Sequence, residues 1–207
     1  GGPTGWLAAR GSLDFAGGTA IHVNAGIAAL AAVLVLGKRK GWPKEGHPPH
    51  SMPLVMIGTG ILFFGWFGFN SGAGGLTDGV AVQAFANTFF AAAAGGLAWS
   101  LTERIKDGHF TNLGAASGIV AGLVAVTPAA GFVSDMSSVW IGAVAGVVCA
   151  LAVGLKFKAG FDDSLDVVGV HMVGGLVGSL LIGFLAKPGA LGEFEAGLFY
   201  GGGAGLL

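Results

Sequence analysis

Apolar runs of about 20 residues recur along this chain with short polar segments between them. Each is long enough for a helix, rising about 1.5 Å per residue, to cross about 30 Å of hydrocarbon. Six such runs are predicted, over residues 15–36, 52–69, 80–102, 112–131, 138–156 and 166–186, and residues 194–207 open a seventh. Composition points the same way, because 53% apolar and 10% charged residues lie outside the range of soluble domains. The expected fold is therefore all-α, a polytopic transmembrane helix bundle forming a single domain over residues 1–207. The chain opens on Gly1-Gly2 rather than Met and stops at Leu207 within an apolar run, as an internal piece of a longer protein would.

Charge placement sets an expected topology. Lys38, Arg39, Lys40 and Lys44 follow the first run, Arg104 and Lys106 the third, and Lys156 and Lys158 the fifth, so eight of the ten basic residues fall in alternate loops. By the positive-inside rule loops 37–50, 103–110 and 156–164 are cytoplasmic. Gly1, the loop near Asp78, the turn near Asp135 and the loop near Lys187 then face outward. A net charge of −1, with the cations confined to short loops, offers no surface to nucleic acid. The single cysteine, Cys149, lies in an apolar run; one thiol makes neither a disulfide framework nor a thiolate metal site.

Glycine accounts for 41 of 207 residues. Much of it falls at four-residue spacing, as in Gly114/Gly118/Gly122, Gly142/Gly146 and Gly174/Gly178. Small residues at that interval let membrane helices approach closely, so these are expected contact faces.

Two histidines break the apolar pattern, and they do so in the same frame. Asp14, His22 and Gly26 read D-x7-H-x3-G, and so do Asp163, His171 and Gly175. An ionisable side chain at membrane depth is costly and usually marks a substrate or proton pathway. Eight helical residues, about 12 Å, separate each aspartate from its histidine. The first and sixth runs are antiparallel, so the histidines reach similar depth from opposite sides, as in a midplane site of an inverted repeat. Neutral imidazoles could pair by hydrogen bonding and relay protons beside a small polar solute. Zinc or iron would require further His, Cys or carboxylate ligands, and none is evident. A bis-histidine haem remains an alternative. Neither frame supplies a nucleophile partner, so no enzyme activity is expected. Asp14 is placed to cap its helix and to put negative charge near the outer mouth. Gly65-Trp66-Phe67-Gly68-Phe69-Asn70 offers aromatic rings either to an interfacial belt or to a cation.

Four segments together carry a resemblance: L-D-F-A-G-G-T-A-I-H from Leu13 to His22, G-W-F-G-F-N from Gly65 to Asn70, V-T-P-A-A-G from Val126 to Gly131, and D-V-V-G-V-H from Asp166 to His171. In order and spacing the chain resembles the ammonium transporter family, the Amt/Rh group. That resemblance implies inverted five-helix repeats plus a last helix, with the first repeat mostly missing here. It implies no cofactor, a homotrimer in the cell membrane, and contact between the cytoplasmic loops and a PII-type regulator. It assigns His22 and His171 to the pore and proton relay, Asp14 to ammonium recruitment and deprotonation, and Phe69 to the gate. Trp66, Asn70, Thr127 and Asp163 take supporting places. Ala73 stands where many members carry a serine of the outer ammonium site, so that hydroxyl is absent unless Ser71 replaces it. The vestibule tryptophan and the other gate phenylalanine fall outside the chain. An ammonium sensor of the same fold is the implied alternative to a transporter of ammonium and ammonia.

Overall fold

The computed structural model describes residues 5–75, 79–188 and 194–206. Six helices carry the fold: α1 Gly18–Leu36, α2 Met52–Ala73, α3 Gly79–Asp107, α4 Asn112–Val126, α5 Asp135–Ala159 and α6 Val168–Leu185. Five are long and apolar enough to cross a membrane, and α4 is a shorter apolar helix. The chain is a multi-pass membrane protein built as an all-α bundle.

Local chemistry starts three of these helices. Ser51 caps α2 by accepting from the Leu54 N–H, with Pro53 in the first turn. Thr111 caps α4 through the Gly114 N–H at 2.8 Å, and its own N–H donates to Glu103 at the end of α3, 2.9 Å away. Ser134 caps α5 through the Ser137 N–H. These side chains satisfy donors that a helix start leaves unpaired.

The glycine intervals are where helices touch. A Cβ at Gly122 or at Gly142 would collide with the Ala91 carbonyl, and one at Gly146 with the Gly95 carbonyl. Backbone-to-backbone approach thus packs α4 and α5 onto α3, leaving Ala91, Ala92, Ala121 and Ala145 fully buried. In lipid, where apolar tails compete equally for apolar side chains, such close packing supplies the association energy.

Two expected spans are corrected. The run expected to be helical through residue 131 leaves the α-helix at Val126, and Thr127–Gly131 is a turn whose first four residues are buried. Pro128 is the physical reason: it has no N–H to continue the ladder and its ring crowds the preceding turn, although Thr127 itself keeps helical angles. The segment 194–207, expected to open a seventh span, holds only a short 3₁₀ turn at Leu198–Tyr200 among its described residues. Gly197, Gly201, Gly202, Gly203 and Gly205 make it a poor helix former.

The basic loops gather at one end of the bundle. The Arg39 guanidinium makes two bonds to Asp162, 2.7 and 2.8 Å, and the Arg39 N–H adds a third at 2.8 Å. The opposite end collects the Thr127–Gly131 turn, where Pro128 O accepts from Phe15 N–H at 3.0 Å, and Phe132 O, which accepts from Lys187 N–H at 2.7 Å. Gly1 and the loop near Asp78, expected to face outward, lie outside the described residues.

Candidate functional site

The repeated frame D-x7-H-x3-G becomes a reciprocal helix crossing. Helix α1 opens with a π-helical stretch, Gly18–Val23, that carries His22, and α6 opens with another, Val168–Met172, that carries His171. Wide turns of this kind re-aim a side chain and recur at functional sites. Each is capped by the aspartate of its own frame. Asp14 Oδ2 accepts from the N–H groups of Thr19 and Ala20 at 3.2 and 3.0 Å. Asp163 accepts from Val167 and Val168 at 3.0 and 2.7 Å. The glycines of the two frames meet the partner helix. A Cβ at Gly26 would collide with the Met172 side chain, and one at Gly175 would stand 2.8 Å from Gly18 O and 2.9 Å from Val23 Cγ2.

This crossing brings the imidazoles together, with His22 Nδ1 3.2 Å from His171 Nδ1. For neutral rings one Nδ1 carries its proton and donates while the other accepts, so the two rings hold opposite tautomers. His22 is 4% exposed, and its Nε2 has no hydrogen-bond partner among the described residues. The outer edge of the pair is therefore a buried polar atom available to a small solute.

Aromatic rings fix the pair. Trp66 stacks on His22 with centroids 5.2 Å apart and an interplanar angle of 17°. Phe69 lies 6.2 Å from His22 and 5.7 Å from Trp66. The indole is itself oriented, since Trp66 Nε1–H donates to Thr127 Oγ1 at 3.0 Å, and Thr127 donates onward to Leu123 O at 2.7 Å. The Thr127-Pro128 turn thus has a second task beyond ending α4.

Of the residues singled out in the sequence, His22, His171, Trp66, Phe69 and Thr127 form one cluster. Asp14 and Asp163 stand at the starts of the two histidine helices. Asn70 belongs to the contact between α2 and α3: its amide donates to Thr88 Oγ1 at 2.9 Å, and its Oδ1 is buried without a partner among the described residues. Ser71 is buried with a hydroxyl that has no partner among the described residues, while Ala73 is exposed. Sequence reading did not find Ser179, whose hydroxyl bonds Thr19 at 2.7 Å across 160 residues, or Thr88. Nothing local in the sequence marks such pairings.

The alternative of a haem does not fit this geometry. Axial nitrogens need roughly 2 Å each to a metal between them, with a macrocycle spread in that plane. Rings in direct contact through Nδ1 leave no such gap.

The chain matches the Ammonium Transporter Family over residues 2–207. It is 58% identical over 209 residues to an ammonium transporter of Mycobacterium tuberculosis, an alignment covering 98% of this chain and 44% of that protein. Among solved structures it resembles Candida albicans Mep2, with a TM-score of 0.88 at 41% identity over 97% of this chain and 46% of that one. It also resembles a sensor Amt protein, with a TM-score of 0.82 at 32% identity over 89% of this chain and 47% of that one. The chain thus spans less than half the length of these relatives. Matched along nearly its whole length by that family, the chain belongs to the ammonium transporter family.

Proposed function

We propose that this chain contributes the paired-histidine part of a pore that moves ammonia across the cell membrane. The observation that carries the reading is the half-buried His22–His171 contact at 3.2 Å, with a buried His22 Nε2 that has no partner among the described residues. Ammonium is recruited at the outer end, where Asp14 Oδ1 is buried and free of protein partners among the described residues. Phe69 and Trp66 separate that end from the histidines. There the ion loses its proton, because a bare cation in an apolar passage bears a heavy desolvation cost whereas neutral ammonia does not. Ammonia then exchanges hydrogen bonds with the imidazole edges while the ring pair relays the proton. Asn70, Thr127 and Asp163 hold the surrounding helices in register. Potassium has no proton to lose and is rejected by the same scheme.

Assembly as a homotrimer and regulation by a PII-type protein at the cytoplasmic loops belong to this reading. The resemblance to a sensor Amt protein supports a second reading, in which ammonium binds at the Asp14 end with little flux.

The test is the current evoked by an ammonium pulse in proteoliposomes carrying the full-length protein, with a potassium pulse as control. A saturable ammonium current without a potassium response supports selective electrogenic transport. Absence of both current and ammonia flux, with ammonium binding retained, replaces the transporter by the sensor.

A further inference from the structure

The two capping aspartates are equivalent in sequence frame and in helix geometry, but not in what their oxygens do. Asp14 uses Oδ2 alone for both N–H groups, and its Oδ1 is left buried and unpartnered among the described residues. Asp163 uses both carboxylate oxygens, one on Val167 N–H and one on Val168 N–H. Its main-chain carbonyl is occupied as well, by Lys156 Nζ at 2.9 Å. The same ammonium group reaches Asp166 Oδ1 at 2.6 Å.

Lys156 extends from the end of α5 to the foot of α6, and its side chain is only 13% exposed. It lines a cavity of about 750 Å³ together with Val55, Leu113, Ser117 and Asp166. Asp166 lies two residues before α6 and five before His171. The cavity therefore adjoins the end of the histidine helix where the basic loops gather. Its remaining charges are Arg39, bonded twice to the Asp162 carboxylate, Glu45, and His47, whose Nε2 lies 3.2 Å from Lys40 O.

A lysine side chain ends in an alkylammonium with three N–H donors, the same chemical group as the ion recruited at the other end. At the Asp163 end that group is covalently tethered, and it already holds the oxygens that could bind a free cation. We propose that Lys156 is a built-in ammonium filling the inward counterpart of the Asp14 site, so that cations are recruited from the outer face only. The inference rests on the recruitment role given to Asp14 above.

The experiment uses excised membrane patches containing the full-length protein, with ammonium chloride applied to each face in turn and an apparent KM measured for each. In the wild type the inner KM exceeds the outer by at least tenfold. Lys156→Met lowers that inner-to-outer ratio at least tenfold, whereas Lys156→Arg, which keeps a cation, preserves it. Asp166→Asn also preserves it, because the ammonium group and its bond to Asp163 O remain. Where Lys156→Met does not fold, Lys156→Gln carries the same expectation with a neutral donor in place. An unchanged ratio in the methionine and glutamine variants overturns the inference alone. So does an Asp166→Asn variant that behaves like them, since a broken ion pair would then explain the effect. A wild type that gives no ammonium current at either face overturns the transport reading together with this inference.

Discussion

His22 and His171, 149 positions apart in the chain, meet through their Nδ1 atoms at 3.2 Å. The contact joins two helices that begin alike, each with a capping aspartate and a π-helical turn. Because each ring has one donor and one acceptor, removing either ring leaves the other with an unmatched nitrogen in a buried site. His171→Ala in the full-length protein is expected to lower the ratio of ammonium to potassium current roughly tenfold, equivalent to about 1.4 kcal/mol. Currents in proteoliposomes measure this. Transport and potassium rejection both unchanged would remove the relay role from the pair.

Thr127 governs the same pair through Trp66. Its hydroxyl is the acceptor for the Trp66 indole N–H, and that indole lies flat on His22. Thr127→Val keeps the shape of the side chain but leaves a buried N–H unpaired, a loss of about 1–3 kcal/mol. Thr127→Ser keeps the acceptor and is expected to behave close to wild type. Thermal unfolding in detergent reads the stability loss, and tryptophan fluorescence reads the freed indole. Equal behaviour of the valine and serine variants would mean that the hydrogen bond does not hold the ring.

The membrane class, the six helices and the histidine frame were legible because each depends on short-range pattern: apolar run length, four-residue glycine spacing, one repeated motif. Pro128 was equally visible, yet the apolar run through Ala129 and Ala130 masked the break it makes at Val126. The glycine-dense stretch after Gly197 read as apolar length, although such residues rarely sustain a helix. The site was legible as a set of candidates and not as an arrangement. Its π-helical turns and the Thr19–Ser179 contact depend on the approach of distant segments. At the Asp163 end the main-chain carbonyl is held by Lys156, which the sequence presents only as another basic loop residue.

The clamp between Arg39 and Asp162 makes a pH-resolved prediction for the loop that follows α1. Hydrogen bonds from the Arg39 side chain hold the Asp162 carboxyl down to about 2. A carboxylate depressed in the folded state stabilises above its ordinary range, near 4, and loses that contribution as pH falls through the folded value. Hydrogen-exchange protection of residues 37–46 is therefore expected to be flat, as far as this pair governs it, from about pH 5 to about pH 8. Arg39 is 39% exposed against 1% for Asp162, so solvent screens the pair. Asp162→Asn is expected to cost roughly fivefold in protection rather than the larger loss of a fully buried pair. Protection that is unchanged in the asparagine variant would show that the loop is held by other contacts.

Gly26→Ala tests whether the crossing of α1 and α6 sets the histidine contact. A methyl group at Gly26 would collide with the Met172 side chain and stand 2.6 Å from Met172 N and 2.8 Å from Met172 Cα. Two of those three neighbours are backbone, which cannot rotate away as a flexible side chain can, so the helices must part. Met172 follows His171 directly, and Gly26 lies one helical turn beyond His22. Parting the helices there widens the 3.2 Å ring contact. Overpacking of this kind costs about 1–3 kcal/mol, while the higher helix propensity of alanine returns at most about 1 kcal/mol. A net loss of thermal stability and a weakened ammonium current are expected together, read by unfolding in detergent and by ammonium pulses on the same preparation. A variant that loses stability while its current and potassium rejection stay at wild-type level would separate the crossing from the relay. Function would then have to tolerate histidines that no longer touch.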